Sequence, residues 1–165
     1  MRGGAETAKT VVFSTVVILL WSTAVWGQKP TPVQPSKEVK CPVCGMFVAK
    51  YPDWVGEIIY RDGEVVFFDG AKDLFKYYFN MKRYAPKRSR ADIAAIYVTE
   101  YYRVRLIDAD KAFLVVDSDV YGPMGRELVP FDTKADAEAF MRDHYGKRIL
   151  RFDQVTPAVI KKLDE

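Results

Sequence analysis

One local pattern occurs twice in this chain of 165 residues, and the recurrence narrows the folds open to it. Trp54 to Tyr60 favours β structure, Asp62-Gly63 supplies a tight turn, and Val65 to Phe68 favours β structure again. Together they predict a hairpin. Asp69 is a candidate cap for a following helix, in which Ala71, Leu74, Phe75 and Tyr78 fall on one apolar face at i, i+3, i+4 and i+7. A strand about Ile93 to Thr99 closes the unit as ββαβ. The same order returns with Ala112 to Val116 and Leu128 to Phe131 as strands, and Asp132 or Thr133 opening a helix. Thr133 and Asp136 have capping-box spacing, Ala137, Phe140, Met141 and His144 share a helical face, and Arg148 to Phe152 supplies the closing strand. Phe68-Asp69 and Phe131-Asp132 are equivalent junctions. The expectation is an α+β protein of two small related ββαβ units, residues 41–99 and 100–165. A last short helix starts at Thr156, with Pro157 in its first turn.

Residues 1–27 read as an export signal. Arg2 and Lys9 make a positive start, Val11 to Leu20 is apolar apart from Ser14 and Thr15, and Ser22, Ala24 and Gly27 offer small residues for cleavage. The competing reading is an uncleaved anchor that associates with the membrane, although Val11 to Trp26 is shorter than the roughly 20 residues a spanning helix needs. No cysteine lies near position 27, so a lipid-bearing leader cysteine is not expected. Residues 28–40, with Pro30, Pro32 and Pro35, read as an extended tether and not as a packed element. The working part is expected outside the cytoplasm, in the periplasm.

Composition limits the chemistry. A net charge of +3 does not point to nucleic acid. Two cysteines and one histidine cannot build a disulfide scaffold or a site of several imidazoles. No nucleophile elbow, phosphate loop or Ser-His-Asp arrangement is present, so no enzyme is expected. Asp108 and Asp110 read as a turn.

The soft ligands concentrate in two places. Cys41-Pro42-Val43-Cys44-Gly45-Met46 follows the tether, and Met124 lies in the loop from Ser118 to Arg126 that replaces the short Asp-Gly turn of the first unit. Position 45 is glycine, which excludes covalent haem attachment. Structural zinc lacks a second ligand pair. A thioredoxin-like pair should open a helix after a strand, which this one does not. Disulfide chemistry and a Cu(I) site both stay open. Thiolate and thioether favour Cu(I), and Cys44 and Met46, two apart, share a face if the segment is extended. Met124 completes a three-sulfur site if the second unit's hairpin tip folds against the first.

Cys-Pro-Val-Cys-Gly-Met, together with Gly-Pro-Met-Gly-Arg-Glu-Leu-Val-Pro-Phe from Gly122, resembles the NosL family over roughly Lys40 to Phe152. These are exported copper-binding proteins associated with maturation of nitrous oxide reductase. The resemblance implies two related ββαβ units and Cu(I) held by Cys44, Met46 and Met124. Cys41 is an additional cysteine that many members lack. It also implies a metallochaperone whose partner is a copper-accepting maturation protein or cuproenzyme. A copper ion bridging two molecules and a thiol-disulfide protein using Cys41 and Cys44 are the alternatives. His144 reads as a core or boundary residue, with an auxiliary ligand role as the alternative. Lys82, Arg83, Lys87, Arg88 and Arg90 form a basic connection suited either to solvent or to an acidic partner or lipid head groups.

Overall fold

A computed structural model describes residues 29–165, and the expected leader lies outside them. Strands β1 (Gly56–Tyr60) and β2 (Val65–Phe68) form the first hairpin and lead into α1 (Ala71–Phe79) and the short α2 (Met81–Tyr84). Strands β3 (Ile93–Glu100) and β4 (Arg105–Asp108) complete an antiparallel sheet of order β2-β1-β3-β4. There follow β5 (Phe113–Val116), a small ribbon of β6 (Tyr121–Gly122) and β7 (Gly125–Arg126), then β8 (Val129–Phe131) and α3 (Lys134–Asp143). Strand β9 (Arg148–Leu150) closes a second sheet of order β8-β5-β9, and α4 (Pro157–Lys162) ends the chain. In both sheets the first strand is flanked by the strand before the helix and the strand after it. Among the described residues no helix is long and apolar enough to cross a membrane.

The first sheet runs past the expected boundary at residue 99. β4 pairs with β3 from Tyr97↔Asp108 to Glu100↔Arg105. The connection carries neither glycine nor proline, the usual marks of a turn. Val104 makes it at φ 49°, a conformation unfavourable for a β-branched residue. The proline-rich stretch is extended, yet it is held to the body. Tyr97 Oη donates to Pro30 O at 2.6 Å, Val33 N–H donates to Glu57 Oε2 at 3.2 Å, and Lys29 Nζ lies 2.6 Å from Asp108 Oδ1. Glu57 and Tyr97 are cross-strand partners, so this segment covers the face that strand alternation turns away from α1.

The opposite face makes the main core. Ile58, Ile96 and Val98 pack with Leu74 and Phe75 of α1, with Leu114 and Val116 of β5, and with Ile160 of α4. The intervening β5 residue, Val115, joins Val129, Phe131, Ala137 and Phe140 under α3. β5 is therefore buried on both faces and welds the two sheets together. Thr133 caps α3 by accepting from Asp136 N–H at 3.1 Å, and Thr156 caps α4 by accepting from Val159 N–H at 3.3 Å.

Leu74 is fully buried between α1 and the sheet. Leu74→Ala is expected to lower unfolding free energy by about 2–5 kcal/mol, the range for a core truncation that leaves a cavity. Urea denaturation followed by circular dichroism checks this.

Candidate metal centre

Residues 39–48 fold back on themselves. Val48 N–H donates to Val39 O at 3.0 Å, Lys40 and Phe47 form an antiparallel bridge, and Cys41 N–H donates to Met46 O at 2.9 Å. Gly45 N–H returns to Cys41 O at 2.9 Å. Gly45 itself sits at φ +80°, which a residue with a side chain adopts at a cost. Cys41 to Met46 is thus a closed loop and not the extended segment that would put Cys44 and Met46 on one face. Met46 is half-buried where the loop closes.

The loop sets both free thiols against the start of α1. Cys41 is buried and its Sγ donates to Asp73 Oδ2 at 3.4 Å. Cys44 is half-buried and donates to Asp69 Oδ1 and Oδ2 at 3.2 and 3.3 Å. One ligand atom from each of Cys41, Cys44, Asp69 and Asp73 lies within 4.8 Å of the others. Burial pushes the Cys44 thiol up to about 12, and hydrogen bonding to Asp73 and Asp69 adds to the rise. Burial moves the Cys41 thiol upward in the same way. Lys76 Nζ stands 3.5 Å from Asp73 Oδ1, an ion contact that lacks hydrogen-bond geometry.

Asp69 therefore faces a thiol and does not cap α1. Gly70 holds the cap position and offers no side chain. The cap comes from the second half of the chain: Glu127, fully buried, accepts the Lys72 N–H and also the Leu128 N–H at 2.9 Å. Gly70 and Gly122 make room for this carboxylate. A Cβ at Gly70 would lie 2.2 Å from Glu127 Oε2, and one at Gly122 would lie 3.1 Å from Glu127 Cγ.

Met124 lies at the tip of the β6–β7 ribbon, 40% exposed. Its carbonyl accepts from Lys72 Nζ at 2.7 Å, so the tip is fastened to the start of α1, beside Asp69 and Asp73. The structure joins Cys41 and Cys44 directly and brings the backbone of Met124 to α1 through Lys72. His144 follows the end of α3, stacks on Phe140 and pairs through Nδ1 with Asp119 Oδ1 at 3.0 Å. It contributes to no metal-binding cluster of His, Cys, Asp or Glu among the described residues. Within the basic connection, Arg88 is taken up by Asp62 and Glu64, and Arg90 stacks on Tyr78. Lys82, Arg83 and Lys87 stay exposed.

Sequence reasoning took Asp69 for a helix cap and did not single out Asp73. A signal was available. Asp69 and Asp73 recur as Asp132 and Asp136 at the equivalent junction. There they pair with arginines: Asp132 with Arg105, and Asp136 with Arg103 at 3.0 Å. In the first half, thiols occupy the place of the arginines.

A model of the NosL family matches residues 32–160. The chain belongs to the NosL family. A NosL protein of Stutzerimonas stutzeri, described as a copper-binding lipoprotein, is 29% identical over 131 residues, 74% of this chain. The chain spans 65% of that relative's length. The crystal structure of the copper chaperone NosL from Shewanella denitrificans superposes with a TM-score of 0.67 at 28% identity, over 78% of this chain and 98% of that one. The solution structure of apo-NosL from Achromobacter cycloclastes, also 28% identical, gives 0.45 over 64% of this chain and 87% of that one.

Two buried carboxyls make the stability of this NosL protein pH-dependent. Burial pushes Glu57 up to about 7 and Glu127 up to about 8, from an ordinary 4.5. The fold holds these protons while the unfolded chain releases them, so their contribution is complete below about 4.5 and is lost as pH rises through about 7 and 8. Thermal unfolding between pH 4.5 and 8 should show a midpoint that falls with pH, and Glu127→Gln should flatten the fall.

Proposed function

We propose that this NosL protein is an exported, non-enzymatic Cu(I) carrier that passes copper to a periplasmic or membrane maturation partner, with nitrous oxide reductase as the downstream client. Cys44 supplies the thiolate and Met46 and Met124 the thioethers, with Cys41 as a second thiol beside them. Two relatives in the family are named for copper, one as a copper-binding lipoprotein and one as a copper chaperone. The single observation that carries the reading is that both sulfur-bearing loops are fastened to the junction where β2 leads into α1, Cys44 through Asp69 and Met124 through Lys72.

The chemistry suits a carrier. Sulfur donors are soft and match Cu(I). One thiolate and two thioethers neutralise a monovalent ion without adding charge to a region that already holds two carboxylates. Thioethers carry no proton at working pH, so release needs only an incoming ligand. Cys44 and Met124 are both partly exposed, which gives an acceptor access. Exposed Lys87, in a groove lined also by Pro42, Tyr77 and Tyr84, and exposed Arg83, stacked on Tyr84, offer an acidic acceptor a place to dock.

Thiol-disulfide exchange is the competing function. A reactive cysteine needs a lowered pKa, commonly from a helix N-terminus or a neighbouring cation. Cys41 and Cys44 lie in a turn against carboxylates, and both thiols are raised.

Anaerobic Cu(I) titration against a chromogenic chelator separates the two functions. Met124→Ala should weaken Cu(I) binding by at least about tenfold, the lower end of what losing even a supporting group costs a metal site. Its thiol redox potential should be unchanged. Wild-type affinity in Met124→Ala removes the three-sulfur site. Negligible copper binding by wild type, with dithiol activity lost in Cys41→Ser, establishes the redox function instead.

A further inference from the structure

Lys72 is an unusual residue for the interior. Its side chain is 2% exposed, yet a buried ammonium is stable only when its donors are met. Two carbonyls accept from it, Met124 O at 2.7 Å and Leu163 O at 3.4 Å, and Asp164 Oδ1 stands 3.2 Å away as its ion-pair partner. The backbone of the same residue donates to Glu127. Lys72 therefore grips the segment from Met124 to Glu127 at both ends, one end by its side chain and the other by its main chain.

We propose that Lys72 is a positioning residue for copper: by holding the Met124 carbonyl, it fixes where the Met124 thioether stands relative to Cys44. This rests on the reading of Met124 as a copper ligand. Lys72 lies between Asp69 and Asp73, whose carboxylates receive the Cys44 and Cys41 thiols. The geometry of that one turn is thus imposed on both sulfur-bearing loops. Pro123 limits the ribbon tip on one side, and Gly125, at φ +88°, turns the chain on the other. The base of Met124 is fixed while its side chain stays 40% exposed, an arrangement in which a ligand is presented in place yet can be drawn away by an acceptor. Asp164 and Leu163 extend the grip to the residues that follow α4, which thereby support the Met124 turn.

A double-mutant cycle tests the role. Cu(I) affinity is measured by anaerobic chelator competition for wild type, Lys72→Leu, Met124→Ala and the double variant. Thermal unfolding of each variant verifies folding. Lys72→Leu should bind Cu(I) about tenfold more weakly, the scale of one lost charge-assisted hydrogen bond. In the Met124→Ala background the same change should cost nothing further. In protein labelled with [methyl-13C]methionine, the Met124 methyl resonance should shift on adding Cu(I) in wild type and keep its apo position in Lys72→Leu. If Lys72→Leu does not fold, Lys72→Gln, too short to reach the Met124 carbonyl, takes its place with the same expectations. Wild-type affinity in the Lys72 variant, or an equal loss in the Met124→Ala background, overturns the role. Wild-type affinity in Met124→Ala alone instead removes Met124 as a ligand, and the positioning role falls with it.

Discussion

The first turn of helix α1 is completed by a side chain from the other half of the chain: Gly70 has nothing to cap with, and the buried Glu127 takes the Lys72 N–H. A helix N-terminus leaves four N–H groups without intrahelical partners. Borrowing the cap from Glu127 frees Asp69, the residue that would otherwise serve, to face a thiol. It also forces the ribbon that carries Met124 to lie against the helix, because Glu127 is only three residues further on. The arrangement of the site follows from that one long-range cap. The cysteine loop, the methionine turn and the C-terminal helix all meet at residues 69 to 73.

The two halves of the chain solve one problem in two ways. Each places an Asp-x-x-x-Asp pair where a strand becomes a helix. At Asp132 and Asp136 the helix has its own cap in Thr133, and the carboxylates end in exposed ion pairs with Arg105 and Arg103. Such pairs contribute little to stability. At Asp69 and Asp73 no arginine is present and the hydrogen-bond partners are two thiols, one of them buried, with Lys76 in ion contact with Asp73. The second half is a scaffold with satisfied charges. The first half keeps the same carboxylates in a place where a binding site can form.

Much of this fold was legible in the sequence. Hairpin, helix and strand positions follow from alternation, an Asp-Gly turn and helical spacing, all of which are local signals. β4 was hidden because its turn is made by Val104, which carries no turn signature. The packing of residues 29–33 on the sheet was hidden because proline-rich composition reports extension but not what the segment touches. At the site, Cys41, Cys44, Met46 and Met124 stood out by scarcity. Asp69 and Asp73 did not, since the thiols they receive lie 25 and 32 residues earlier in the chain, and the matching Asp132 and Asp136 emerge only when the two halves are compared. Lys72 was hidden for a related reason: a lysine on a helix is usually solvated, and only the fold reveals the two carbonyls and the carboxylate that surround its buried ammonium.

The claim that Cys44, Met46 and Met124 hold one Cu(I) ion is tested most directly by X-ray absorption at the copper K-edge on the loaded protein. Wild type should show a Cu(I) edge with three sulfur neighbours, and Met124→Ala should show two. A first shell of oxygen donors from Asp69 and Asp73, or a sulfur count that does not change in Met124→Ala, would contradict it.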